Sequence, residues 1–198
     1  MQSWHFSAEA CIQYRRKEDT MNRIRNWHIA GAVFTVITGT LLHFVTDWFD
    51  GGWWNVVGAV NESTWEHLKL IFWPMVVFGA LEMICYGRKE PGFIPVRVAS
   101  VLLGMGSIIV LFYTYTGIWG RHILVVDIAV FLVSVAAAYW FSFHKLKAPG
   151  ERTFCSFAVT CGVAVFTVLC IAMILFTYDP PRIALFEDPV TGHYGLTR

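Results

Sequence analysis

The sequence predicts an all-α fold: an integral membrane bundle of five transmembrane helices, N-terminus inside and C-terminus outside. Three observations carry this. Hydrophobic residues make up 56% of the 198-residue chain and charged residues only 15%, against roughly 25% charged in an average soluble domain. Mean hydropathy is +0.54. Five stretches reach the roughly 20 mostly apolar residues that a helix needs to cross the hydrocarbon core. Such a composition excludes a soluble enzyme, a disordered chain and a coiled coil. A net charge of +1 excludes a strongly basic nucleic-acid binder.

Taken in order, residues 1–26 form a cytoplasmic arm rich in Arg and Lys, in which Trp4, Phe6, Ile12 and Tyr14 suit contact with the inner membrane surface. The spans follow at 27–48, 68–87, 93–119, 122–146 and 153–178. Each closes on turn-forming or charged residues such as Asp50-Gly51-Gly52, Gly120-Arg121 and Asp179-Pro180-Pro181. Short connections make the last four helices antiparallel neighbours. Residues 53–60 (WWNVVGAV) are apolar but too short to span, and read as a re-entrant or interfacial piece in the outer leaflet. Residues 179–198 form an extracytoplasmic tail. Two prolines stop the last helix, Asp188-Pro189-Val190-Thr191-Gly192 signals a turn, and Leu185, Phe186 and Tyr194 can anchor the tail over the outer mouth.

Basic residues set the orientation through the positive-inside rule. Eleven of the 15 Lys and Arg fall on the side of the N-terminal arm, the second–third loop and the fourth–fifth loop. Lys69, Arg121, Arg182 and Arg198 fall on the other side. The first apolar run lacks a small-x-small exit and reads as an uncleaved anchor. The five cysteines, Cys11, Cys85, Cys155, Cys161 and Cys170, include no C-x-x-C and are expected to be free thiols.

Ionisable groups inside a span are costly and mark candidate sites. His43 and Asp47 share a face of the first helix, and Asp127 lies at a similar depth on the fourth. Asn61-Glu62-Ser63-Thr64-Trp65-Glu66-His67 opens the second. His43, Asp47, Glu62, Glu66, His67 and Asp127 are expected to converge in one outward-facing pocket. His43, His67, Asp127 and Asp47 are candidate ligands for zinc or another divalent ion, because imidazole with carboxylate suits such metals. Glu62 and Glu66 are candidate general bases. Structural readings stand beside these. Ser63-x-x-Glu66 is a capping box, Glu66 and Lys69 make an i,i+3 surface pair, and His43 with Asp127 makes a plain interhelical contact. Elsewhere, Glu82 and Arg97 sit at matched depth and suit an ion pair or separate snorkelling, and His28 and His144 suit water or headgroups at the inner helix ends. Pro74 should free a carbonyl near Leu70. Gly104, Gly106, Ser107 and Gly162 read as close-packing points, and Tyr113, Tyr115 and Trp119 as an outer aromatic belt.

The stretch Ala59-Val-Asn-Glu-Ser-Thr-Trp-Glu-His-Leu-Lys69, together with Pro180-Pro181 and Phe186-Glu-Asp-Pro-Val-Thr-Gly-His-Tyr-Gly195, resembles an uncharacterised family of small bacterial multi-pass membrane proteins. That resemblance implies a bacterial plasma membrane and supplies no activity. More loosely, the scattered outer His and Asp are similar to the pattern of membrane-embedded zinc hydrolases of the ceramidase-like kind, which carry a clustered histidine pair that this sequence lacks. The functional expectation is a metal-dependent, membrane-embedded hydrolase acting on a lipid or peptide. The alternatives are a component that binds or transports a small solute or cation, and a structural or regulatory membrane protein. Expected partners are membrane lipids, a small solute or lipid substrate, and a second copy in a homodimer, with no nucleic acid.

Overall fold

Helix α1, Gln2–Trp48, runs unbroken through both the arm and the first apolar stretch. A computed structural model describes residues 2–49, 51–90, 92–147 and 156–196, with the side chains of residues 2–13, 16 and 17 outside that description. After α1 come a single turn α2 (Trp54–Val57), α3 (Thr64–Cys85), a 3-10 turn (Gly87–Lys89), α4 (Phe93–Trp119), α5 (Leu124–Leu146) and α6 (Ser156–Tyr178). Five helices, α1 from Glu18 onward, α3, α4, α5 and α6, are long and apolar enough to cross a membrane. Among the described residues the only β pairing is one antiparallel bridge, Glu187 with Tyr194, in the tail.

Boundaries move where local chemistry overrides hydropathy. Helix α1 starts far upstream of residue 27, and Ile24 is buried among Tyr86, Phe93, Val96 and Leu146. The bundle therefore extends past the first span's expected edge. The expected contacts of Trp4, Phe6 and Ile12 lie outside the described side chains. Helix α3 starts upstream of residue 68 because Ser63 Oγ accepts the Glu66 amide at 3.3 Å. The reciprocal half of the capping box is not made. Ser63 N–H donates instead to Asn61 Oδ1 at 2.9 Å, and the Glu66 side chain turns toward Lys69. Cys85, Cys161 and Cys170 are free thiols; Cys155 and the Cys11 side chain lie outside the described residues.

Helix α3 is the centre of the bundle. Helix α1 lies along α3 and α5, while α4 lies along α5, α6 and α3. Leu68, Ile71, Phe72 and Met75 of α3 are buried, and Met105, Val135, Ala138 and Met173 of the other helices pack with them. Lipid tails are as apolar as these side chains, so close fit rather than water exclusion holds such helices together. Gly104 supplies that fit: a methyl there would lie 2.7 Å from Ile71 Cδ1 and 3.2 Å from Ala138 Cβ. Gly162 faces Pro95 at 3.4 Å on the same measure, whereas Gly106, expected in the packing, faces open space. Exposed Ile29, Val33, Ile37, Leu41, Phe44 and Trp48 form a stripe along α1 at helical spacing, suited to acyl chains.

Pro74 has the consequence its ring chemistry dictates. Proline at this position removes the amide that would bond the Leu70 carbonyl. Gly39 of α1 approaches that carbonyl so closely that a Cβ would sit 2.4 Å from its oxygen. The two helices cross where one lacks a hydrogen bond and the other lacks a side chain.

Toward the far end of α3, a polar knot joins four helices. Arg97 Nη2 lies 3.1 Å from Glu82 Oε2, so the matched depths do make an ion pair. Tyr86 donates to Glu82 Oε1 at 2.9 Å. The Arg97 guanidinium sits 5.0 Å from the Tyr139 ring centre, and the Tyr139 and Thr35 hydroxyls are 2.9 Å apart. His28, expected in water or headgroups, is buried instead, with Nε2 at 2.9 Å from Ser142 Oγ and Nδ1 at 2.8 Å from the Ile24 carbonyl. Burial is tolerable because both ring nitrogens have partners.

Candidate metal centre

The end of the bundle that carries residues 58–67 brings three possible ligands together. His43 comes from the last turns of α1, Glu62 from the loop before α3, and His67 from the first turn of α3. One donor atom from each lies within 4.8 Å of the others. The two imidazole ring centres are 5.3 Å apart, and His67 Nε2 lies 3.5 Å from Glu62 Oε2. The side chains of His67 and Glu62 are 35% and 52% exposed, so the group opens to the surface.

Each donor is set up by its surroundings. His67 Nδ1 donates to the Ser63 carbonyl at 2.9 Å, which orients the ring with Nε2 toward Glu62. Metal-binding histidines are usually oriented through such a bond from the other ring nitrogen. His43 Nδ1 is buried and lacks a hydrogen-bond partner among the described residues. Glu62 precedes the cap residue Ser63, so it does not follow the helical stripe that links Glu66 and Lys69. That offset lets it meet His67.

Placement of Glu62 depends on how residues 53–60 are held. Backbone packed away from water needs its polar groups satisfied within the protein. Lys69 caps two of its carbonyls. Its ammonium donates to the Asn55 carbonyl at 3.1 Å, the Gly58 carbonyl at 3.5 Å and Glu66 Oε2 at 2.5 Å. Glu66 Oε2 also accepts the Val60 amide at 3.0 Å. Trp73 Nε1 donates to the Val56 carbonyl at 2.9 Å, and Thr46 Oγ1 to the Ala59 carbonyl at 2.7 Å. Gly58 is pressed onto α1, where a Cβ would meet Val45 Cγ1 at 2.4 Å. Glu66 and Lys69, expected as a surface pair, are therefore almost wholly buried, at 2% and 0% side-chain exposure.

The tail grips the same region from the other side. The Trp65 amide donates to the Leu185 carbonyl at 3.0 Å, and the Trp65 and Phe186 rings lie 4.9 Å apart. Asn61 Nδ2 donates to the Gly195 carbonyl at 2.9 Å. Tyr113 reaches the Ala184 carbonyl at 3.1 Å. The tail's own turn is closed by Asp188, whose Oδ1 accepts the Val190 amide and whose Oδ2 accepts the Thr191 hydroxyl, both at 2.8 Å. Tyr194 donates to Glu187 at 2.9 Å, and that carboxylate pushes the phenol above its ordinary pKa.

The remaining candidates fall outside this group of three donors. Asp127 lies in the first turn of α5, where its Oδ1 accepts the Tyr115 hydroxyl and its Oδ2 lies 3.6 Å from His122 Nδ1. Tyr115 also accepts the Ile123 amide at 3.2 Å, so Asp127 and Tyr115 stitch the α4–α5 turn. Asp47 is exposed one turn beyond His43. Glu66 is engaged by Lys69 and Val60 as above. Thr46 and Trp73 support the site without standing out in the sequence. The one signal for Trp73 is its i, i+3, i+7 spacing with Glu66 and Lys69, which aims all three at the preceding segment.

No curated protein and no solved structure matches the chain. Its membership rests on the stretch from residue 16 to residue 196, which carries α3's opening motif and the tail that clasps it: the chain belongs to DUF6512, a family of unknown function.

Proposed function

We propose that this is a multi-pass protein of the bacterial plasma membrane that binds a divalent transition cation, zinc foremost, through His43, Glu62 and His67 at its outward-facing end. The observation that carries the reading is the mutual approach of three donor atoms from two helices and a loop to within 4.8 Å. Tetrahedral zinc with bonds of about 2.0–2.2 Å holds neighbouring donors about 3.3–3.6 Å apart; the His67–Glu62 pair already stands at 3.5 Å, and the group as a whole needs to draw in only from within 4.8 Å. Two imidazoles with one carboxylate favour zinc over magnesium or calcium, which take oxygen ligands. Three protein donors leave a fourth position for water or a small solute.

A binding or transport component fits this arrangement better than a hydrolase. A zinc hydrolase needs a general base free to take a proton from the metal-bound water. Of the two candidate bases, Glu62 serves here as a ligand, and Glu66 is tied to Lys69 and Val60.

Elemental analysis of the purified protein, equilibrated with micromolar zinc and then desalted, tests the reading. The wild type is expected to retain one zinc per chain, and His43→Ala and His67→Ala to retain almost none while keeping their helical content. A wild type that holds no zinc, or variants that hold as much as the wild type, would overturn it.

A further inference from the structure

We infer that the C-terminal tail, residues 183–196, is a clasp that sets the affinity of the cation site, with Asn61 as the positioning residue that transmits its grip. The inference rests on the cation reading of His43, Glu62 and His67 and goes beyond it, because it assigns that site an internal regulator.

Asn61 precedes the ligand Glu62, and its amide is used at both ends. Oδ1 accepts the Ser63 amide at 2.9 Å, curling the chain around Glu62 into an Asx-type turn. Nδ2 donates to the Gly195 carbonyl at 2.9 Å. Residues 61–63 are thus fixed between the tail on one side and the Glu66–Lys69 pair, through the Val60 amide, on the other. Ser63, which closes the Asx turn, also supplies the carbonyl that orients His67. Two of the three ligands therefore take their positions from one short turn pinned by the tail.

Three further contacts hold the tail in place. Phe186 is 5% exposed and packs on Trp65 and Phe176. The Leu196 amide donates to the Thr177 carbonyl at 2.9 Å at the end of α6. Gly195 has a positive φ of 65°, and a Cβ there would lie 2.7 Å from Pro180. Pro180 and Gly195 are accordingly matched surfaces, and the tail returns to α6 only because position 195 lacks a side chain.

Coupling between two sites is reciprocal. If the tail raises cation affinity, the cation must stabilise the docked tail by the same factor. Amide hydrogen exchange of residues 183–196, followed by mass spectrometry with and without zinc, reads one direction; zinc titration of Asn61→Ala and Phe186→Ala reads the other. Zinc is expected to slow exchange in the wild-type tail about tenfold. Asn61→Ala and Phe186→Ala are expected to weaken zinc binding about tenfold, with α-helical content retained. In His43→Ala, zinc should leave tail exchange unchanged. A wild type that binds zinc with no change in tail exchange would overturn the clasp and leave the cation site standing. A wild type that binds no zinc would overturn both. If either variant fails to fold, wild-type exchange alone decides.

Discussion

Lys69 shows how one side chain can carry a local fold. Its ammonium is fully buried and bonds the Asn55 and Gly58 carbonyls and the Glu66 carboxylate. Truncating one member of a buried ion pair leaves the other charge without compensation, at a cost of about 3–5 kcal/mol. Lys69→Met is therefore expected to destabilise the protein by about that amount, lowering the thermal midpoint in detergent and exposing the 53–60 segment to protease. Lys69→Met combined with Glu66→Leu should recover part of the loss, since the stranded carboxylate goes too. A double variant less stable than Lys69→Met would show that the pair acts mainly through Glu66 and the Val60 amide. The sequence made Glu66 and Lys69 visible as an i,i+3 pair but not as a buried one. Burial is decided by the preceding WWNVVGAV segment folding back over them, and no periodicity within α3 records that event. His28 misleads for a similar reason: Ser142, which makes its burial tolerable, lies on a helix far away in sequence.

At the scale of helices, the α1–α3 crossing depends on Gly39 and Pro74 together. Pro74 was legible alone, because a proline inside an apolar helix strands a carbonyl wherever it sits. Gly39 was not, because a glycine in a span reads identically whether it faces lipid or another backbone; Gly106, which faces open space, illustrates the point. A methyl at position 39 would be 2.4 Å from the Leu70 oxygen and 2.9 Å from the Phe131 ring. The first obstacle is backbone and cannot rotate away, so α1 must move off α3. Gly39→Ala is expected to cost about 1–3 kcal/mol, the usual range for overpacking, whereas Gly106→Ala should be nearly neutral. The shift also moves His43, one turn further along α1, so Gly39→Ala should weaken zinc retention as well as lower the melting temperature. Equal melting curves for the two glycine variants would remove the crossing from the list of contacts that matter. Depth places His43 and His67 in one layer, since both sit near one end of adjacent helices. Asp127 sits at a similar depth by the same count, yet its carboxylate is taken by Tyr115 and His122 in its own hairpin. Depth specifies a layer, and only packing specifies direction within that layer.

For the whole molecule, five of the described helices are long and apolar enough to cross a membrane, and five crossings, an odd number, would set the two ends of the chain in opposite compartments. Which end faces which is a matter of charge. Arg15, Arg23, Arg25, Arg88, Lys89, Lys145 and Lys147 gather at one end of the bundle, and the His43 group and the clasped tail lie at the other. Translocating a cluster of Arg and Lys against the membrane potential is the step that insertion avoids. The expected topology therefore places the N-terminus in the cytoplasm and the cation site outside. Reporter fusions check this: a phosphatase that folds only outside the cytoplasm should be active when joined after residue 198 and inactive when joined before residue 1, and a cytoplasmic fluorescent reporter should show the reverse. The reversed pattern would turn His43, Glu62 and His67 toward the cytoplasm, where free zinc is held scarce, and a site of one exposed and two half-buried donors would then compete with intracellular chelators for its ion. The orientation thus decides what affinity the site needs. An outward site can meet its cation directly from the surroundings, and a clasp that shifts affinity about tenfold would move its occupancy at most from about three-quarters to about one-quarter.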